Sequence, residues 1–283
     1  VFLLMELVWY RMLAPLLGGS SYTFALILAV ALAGIGIGGF LYGAGGKSRR
    51  PTLHDFALTC SLEAACVAFP WLLGDRLALL AAALRPMDGL GFAWLVSGWS
   101  VIAAIAILPA SIVAGYQFPL LIGLLGTGRE GVGRQLGLAY ASNTLGAIVG
   151  SLVGGFGLIP LLSAPGVWHL VVALLVVLSA AALAVSTRQR DASAKSKRPH
   201  AAVMCGVIAV ALLSARGPTA AWRHVAVGAG RAQAKYAGVN DVERVQRDLR
   251  RDIVWETDGL ESTLGLSVGD SYAFLLQGKS DGN

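Results

Sequence analysis

Long uncharged apolar runs, not alternation, set the pattern of this chain. A helix needs about 20 mainly apolar residues to cross a bilayer core of about 30 Å. Runs of that kind are expected at about Val1–Leu17, Ser20–Tyr42, Phe56–Leu73, Leu136–Leu162 and Val167–Val185. A shorter one covers Ala201–Ala215. The stretch Leu90–Gly126 exceeds one crossing and contains Pro109 and Pro119, so it predicts a kinked span followed by an interfacial or re-entrant piece. The pattern therefore predicts a mainly α, polytopic transmembrane bundle of about six to seven spans over residues 1–215.

After residue 215 the pattern changes. Residues 216–283 carry nine Lys/Arg and nine Asp/Glu. Residues 216–251 read as a polar linker with one amphipathic helix. Asn240 and Glu243 suit a helix cap, and Val242, Val245, Leu249 and Ile253 form its apolar stripe. Residues 252–283 read as a small β-segment. There Leu264, Leu266 and Val268 alternate, Gly269-Asp270 turns, and Tyr272, Phe274 and Leu276 alternate again, predicting a β-hairpin or meander. A lone hairpin is marginal in water and needs a partner structure, and none is expected in the rest of the chain.

Composition agrees: 56% of residues are hydrophobic and only 13% charged, against about 25% in soluble domains. The formal net charge of +6 is concentrated beside apolar runs, which indicates membrane topology and not nucleic acid. Lys47, Arg49 and Arg50 place the end of the second span inside. Alternation then puts 74–89 and 160–166 outside, and 126–135 and the basic 187–200 inside. If the short seventh run crosses, the tail falls outside, where Arg216, Arg223, Arg231 and Lys235 breach the charge rule. Cys60, Cys66 and Cys205 lie in apolar runs, and four scattered histidines make no ligand set, so no metal site is expected.

The stretch GIGIGGFLYGAGGKSRR (34–50) satisfies G-x-G-x-x-G, but it follows a run too long for a strand, and a Walker loop would need glycine at Leu41. Gly34-x-x-x-Gly38 and Gly39-x-x-x-Gly43 instead suit close helix packing. Gly146, Gly150 and Gly154 repeat the device, predicting a tightly packed helix at the bundle's centre. Ionisable and amide groups in the spans are the candidate functional residues. Glu6 and Arg11, five apart and not quite on one helix face, pair with each other or with neighbouring helices to tie the first helix to the bundle, or else line a polar cavity. Glu63 has no partner in its own helix. It binds a polyamine amine or relays a proton, or it is protonated and hydrogen-bonded to Asn143 or Gln117. Gln117 marks irregular backbone beside Pro119, and Asn143 joins helices. Trp9, Trp71, Trp94 and Trp168 suit interfacial anchoring.

The segments ELVWYRMLAPLLGGSSYTFALILAVALAGIGIGG, LAYASNTLGAIVGSLVGGFGLIPLL and VWETDGLESTLGLSVGDSYAFLLQGKSDGN resemble bacterial fused major-facilitator-like transporter/spermidine synthase proteins. The distinctive pieces are Glu6-x-x-Trp9-x-Arg11, Tyr140-x-x-Asn143-Thr144-x-Gly146 and Gly278-Lys279-x-Asp281-Gly282. The resemblance implies an integral protein of the bacterial inner membrane, whose tail begins the β-domain of an aminopropyltransferase-like module. In that family an α/β domain follows, binding decarboxylated S-adenosylmethionine as co-substrate. None of that machinery follows Asn283 in this sequence, so no cofactor site is expected in the chain itself. The family's β-domain is a lid over its active site, which would put Asp281 near substrate; a plain turn aspartate is the other reading. The expected partners are lipid and a polyamine, with no nucleic acid. A transporter-like module for polyamines or small cations, and a non-catalytic anchor or scaffold, are the competing classes.

Overall fold

The computed structural model describes residues 1–45, 51–125, 132–188, 198–224, 227, 239–269 and 272–280. The apolar runs form helices α1 (Phe2–Leu17), α2 (Ser21–Ala44), α3 (Leu53–Leu73), α5 (Phe92–Leu125), α6 (Val132–Val153), α7 (Ile159–Arg188) and α8 (Arg198–Leu213). A π-helical turn, Gly154–Leu158, joins α6 to α7. Among the described residues, four helical stretches are long and apolar enough to cross a membrane: Ser21–Ala44, Leu53–Leu73, Phe92–Leu125 and the 56-residue run Gly133–Arg188. The chain is thus a mainly helical bundle of membrane character carrying a small antiparallel sheet.

Side-chain contacts fix the helix directions. Helices α3 and α8 run parallel. Arg198 pairs with Asp55 at their starts, and near their ends Trp71 Nε1 donates to the Ala215 carbonyl at 3.2 Å. Helix α7 runs antiparallel to both. Trp168 Nε1 donates to the Val67 carbonyl at 2.9 Å, Ser61 Oγ donates to Ser179 Oγ at 2.6 Å, and Ser186 meets His54. The start of α3 is well formed: Thr52 and Asp55 make a reciprocal capping box, with the Thr52 amide 2.9 Å from Asp55 Oδ2.

Helices α2 and α5 are pressed together at glycines. A Cβ on Gly38 would collide with the Ile112 carbonyl, and one on Gly115 with Ile35 backbone. Gly34 and Gly38 therefore do what their spacing predicted. The second pair does not: Gly43 faces open space and Gly39 barely touches Gly115. Gly146 is also open, and none of the α6 side chains described is buried, so α6 lies at the bundle's edge and not its centre. Small residues permit close approach without specifying which helix approaches. Only Gly154, just beyond α6, is tightly packed, against Leu4.

Three further expectations are corrected. Leu90–Gly126 does not divide into a kinked span and a separate piece, because α5 runs unbroken for 34 residues through Pro109 and Pro119. Residues 74–89, read only as a connection on the outer side, hold regular structure. They form α4 (Arg76–Leu84) and a 3-10 turn, with Leu77, Ala78, Ala81 and Ala82 buried. Trp9, Trp71 and Trp168 are core residues at 1%, 6% and 1% exposure, and only Trp94, at 53%, is placed as an interfacial anchor would be. Trp71, Trp168 and Trp222 meet edge to face at 5.6 and 6.5 Å, and the tail covers them.

In the tail, α9 (Ala220–His224) and α10 (Val239–Asp252) precede a meander of β1 (Ile253–Asp258), β2 (Thr263–Val268), β3 (Tyr272–Leu276) and β4 (Lys279–Ser280). Helix α10 starts at Val239, so Asn240 is inside it and is not its cap. The expected hairpin is β2–β3, with Leu266 opposite Phe274. Against the expectation that no partner remains in the chain, β1 pairs with β2 through a bulge between Ile253 and Trp255.

The α2–α5 contact gives a direct test. Gly38→Val should destabilise the detergent-solubilised protein by about 1–3 kcal/mol through overpacking. Gly43→Val, in open space, should change its thermal unfolding only within about 0.5 kcal/mol.

Candidate functional site

The main concentration of buried polar chemistry lies where the tail meets the bundle. At Ser163 the backbone turns to φ 62°, ψ 164°, which breaks α7 one turn after it begins. The break frees the Ala164 N–H from helical bonding, and a buried amide without an acceptor is costly. Asp258, the last residue of β1, supplies the acceptor: Ala164 N donates to Asp258 Oδ2 at 2.7 Å. The same carboxylate accepts from Arg223 Nη2 at 2.7 Å and from Thr263 Oγ1 at 2.7 Å. Asp258 and Arg223 are both buried, at 3% and 4% exposure.

Arg223 also reaches Glu256 Oε2 at 3.2 Å, and His224 Nε2 lies 3.1 Å from that oxygen. The hydrogen bond from His224 and the Arg223 guanidinium hold the Glu256 carboxyl below its ordinary range, against the upward push of burial. Gly265 is required here, because a Cβ would stand 2.7 Å from the His224 ring. Two contacts from α1 complete the seating: Trp222 Nε1 donates to the Met12 carbonyl, and Arg11 Nη2 donates to the Leu260 carbonyl.

A second anchor stands at the other side of the tail. Asp75, between α3 and α4, accepts from Thr219 N at 2.9 Å and Thr219 Oγ1 at 2.6 Å. Gln246 Nε2 donates to it at 2.9 Å, and Arg250 pairs with it from α10. Burial pushes the Asp75 carboxyl up, but these bonds from Thr219, Arg250 and Gln246 outweigh it and leave the group below its ordinary value.

The candidates from the sequence fall in different places. Glu63 is buried, and Gln117 Nε2 donates to its Oε2 at 2.7 Å, so of the two proposed amide partners Gln117 is the one it meets. Asn143 is exposed on α6 and joins no described helix. Glu6 and Arg11 make no ion pair, since Arg11 is turned toward the sheet. Residues five apart are rotated off a common helix face, and the Leu260 carbonyl with nearby Asp258 supplies the stronger partner. Asp281 lies outside the described residues. Among the described residues, no group of three or more His, Cys, Asp or Glu is placed to hold a metal.

Asp258 and Glu256 went unnoticed in the sequence because acidic residues in a polar tail read as solvated, and Asp75 because it stands in a connection between apolar runs. The run Trp222-Arg223-His224, a charge wedged between aromatic rings, was the available sign.

The fold and its polar junction define a class: a membrane-type helical bundle with a surface-seated antiparallel sheet. No family model, curated protein or solved structure matches the chain.

Removing one partner of a buried pair costs about 3–5 kcal/mol. Asp258→Ala should therefore lower the unfolding free energy of the tail by that amount, and Asp258→Asn by less, as read by protease resistance of residues 216–280. The Asp75 anchor should depend on pH. Its folded-state pKa is depressed, so its stabilisation is present above the unfolded value of about 3.9 and is lost as pH falls through the lower folded value. Hydrogen-exchange protection of α10, corrected for intrinsic rate, should hold from neutral pH to about 4 and fall below that. Asp75→Asn should weaken it throughout and remove the acid step.

Proposed function

We propose that the chain is the membrane-embedded portion of a spermidine synthase-like, aminopropyltransferase-like protein, in which the helical bundle is a rigid platform for a small β-module. The observation that carries the platform role is the Asp258 carboxylate, shared between the sheet, Arg223 and the freed amide of α7. A flexibly tethered module would not be built into the helix it stands on. Residues 133–188 would extend about 84 Å as one straight helix, far beyond one bilayer core of about 30 Å. The break at Ser163 divides them into two crossings. With α1, α2, α3, α5 and α8 this supports seven spans, α1 and α8 being the short ones at 16 residues each.

The sequence resemblance supplies the chemistry of this reading, which is polyamine biosynthesis with decarboxylated S-adenosylmethionine as donor. Aminopropyl transfer needs a carboxylate to hold the attacking amine and take its proton. The carboxylates at the junction are committed to structural bonds, so that role belongs to the donor-binding domain that follows the β-module in such proteins. The bacterial inner membrane is the location the same resemblance implies.

The transporter reading has one observation in its favour, the buried Glu63–Gln117 pair between α3 and α5. Against it, Glu63 lines neither the cavity of about 210 Å³ near Arg85 nor the apolar one of about 520 Å³ between α7 and α8.

Aminopropyl transfer from the donor to a diamine, assayed with the native full-length polypeptide, separates the readings. We expect transfer that Glu63→Gln leaves within twofold and Asp258→Ala reduces at least fivefold. Absence of transfer, together with polyamine flux into vesicles that Glu63→Gln abolishes, would overturn this reading in favour of a transporter.

A further inference from the structure

Every described feature that the tail touches lies at one end of the bundle. The tail meets Gly74 and Asp75 at the end of α3, the break before Ala164, and the second half of α1. The opposite end is equally well marked. Tyr42 at the end of α2 and Pro51 before α3 both abut Gly123 near the end of α5. Ser186 at the end of α7 meets His54, and Arg198 at the start of α8 pairs with Asp55.

The two ends differ in charge. The connection between α2 and α3 carries Lys47, Arg49 and Arg50, and the stretch 188–198 carries five Lys/Arg against Asp191. The connection leading into α6 adds Arg129 against Glu130, and Arg134 stands near the start of α6. At the tail's end the turn between α1 and α2 has no charge. There the connection from α3 to α5 holds Arg76 and Arg85 with Asp75 and Asp88, and the residues around Ser163 have none. Short connections rich in Lys/Arg stay in the cytoplasm, and such residues are attracted to the anionic lipid surface there by about 1 kcal/mol each.

The arginines of the tail do not oppose this. Segments beyond about 60 residues translocate largely regardless of charge, and the tail from residue 216 exceeds that length. Arg223 is buried on Asp258 and Glu256, and Arg250 pairs with Asp75. The short α8 accompanies α3 from Asp55 to Trp71, a helical rise of about 24 Å, so it shares the course of a helix long enough to span.

We propose that the basic end of the bundle is seated on the anionic headgroups of the cytoplasmic leaflet, and that α9, α10 and the four-stranded sheet stand on the opposite, extracytoplasmic face. The inference rests on the bundle's membrane character and not on the chemistry proposed above. It does constrain that chemistry, because any donor used at the sheet must reach that face.

The test uses single cysteines, Thr187→Cys at the basic end and Lys279→Cys on the sheet, with Cys60, Cys66 and Cys205 replaced by alanine. Both chosen positions are exposed. A membrane-impermeant maleimide added to intact cells of a bacterial host should label Lys279→Cys, and should label Thr187→Cys only after permeabilisation. The reverse pattern, or both positions reacting from one side, overturns the proposal. Should the cysteine variants fail to accumulate, an alkaline phosphatase fusion after Asn283 of the otherwise unaltered chain gives the same reading: active supports, inactive overturns. Replacing Lys47, Arg49 and Arg50 together with glutamine should raise the oppositely oriented fraction at least severalfold; no change would show that this cluster does not hold the orientation. Labelling is read whether or not aminopropyl transfer is found, so the failure of either proposal is distinguishable from the other.

Discussion

The acceptance of the Ala164 amide proton by Asp258 is the contact on which the rest of the arrangement depends. An unbonded N–H inside an apolar bundle costs several kcal/mol, and an unpaired carboxylate costs more. The amide is tolerable because the carboxylate is present, and the carboxylate is satisfied by that amide together with Arg223 and Thr263. The break in α7 and the position of β1 are therefore one structural decision. A sheet displaced from the bundle would strand the amide, and a straightened α7 would take one donor from the carboxylate.

From that contact the tail is located by a short chain of consequences. Arg223 must reach Asp258, which fixes α9 and brings Trp222 against Trp168 and the Met12 carbonyl. His224 then lies under Gly265 and against Glu256, while Asp75 holds Thr219 and α10 from the other side. The indole rings filling this junction explain why tryptophans expected at the lipid interface are in the core. The N–H groups of Trp71, Trp168 and Trp222 find backbone carbonyls there, and the tail shields them. The small sheet thus belongs mechanically to the membrane bundle, and its four short strands do not have to be stable alone.

The same geometry bears on function by separating structural charge from chemical charge. Asp258, Glu256, Arg223 and Asp75 are spent on holding parts together. Glu63 and Gln117 form a closed pair between α3 and α5, a sound way to bury a carboxylate beside apolar helices. The exposed part of the sheet is mixed: Trp255, Tyr272 and Phe274 are at least half exposed, beside exposed Lys279 and Ser280.

The sequence by itself determined the elements whose signal is local. Run length and missing charge located the apolar helices, since a bilayer core demands both, and the alternation at 264–268 and 272–276 located the hairpin because strand side chains repeat every two residues. Gly34 and Gly38 were legible as a close-packing face for the same local reason. Tertiary structure decided what depends on partners. It chose α5 as the helix those glycines meet, and it left α6, with similar glycines, at the edge. It turned Arg11 away from Glu6 toward Leu260, and it gave Glu63 the amide of Gln117 instead of Asn143. Above all it made Asp258 a buried ligand of a broken helix, which no pattern near residue 258 announces, because the amide it serves is 94 residues away. Periodicity reports which face of an element is apolar. Which element covers that face, and which buried polar group needs which partner, is settled only when the chain is assembled.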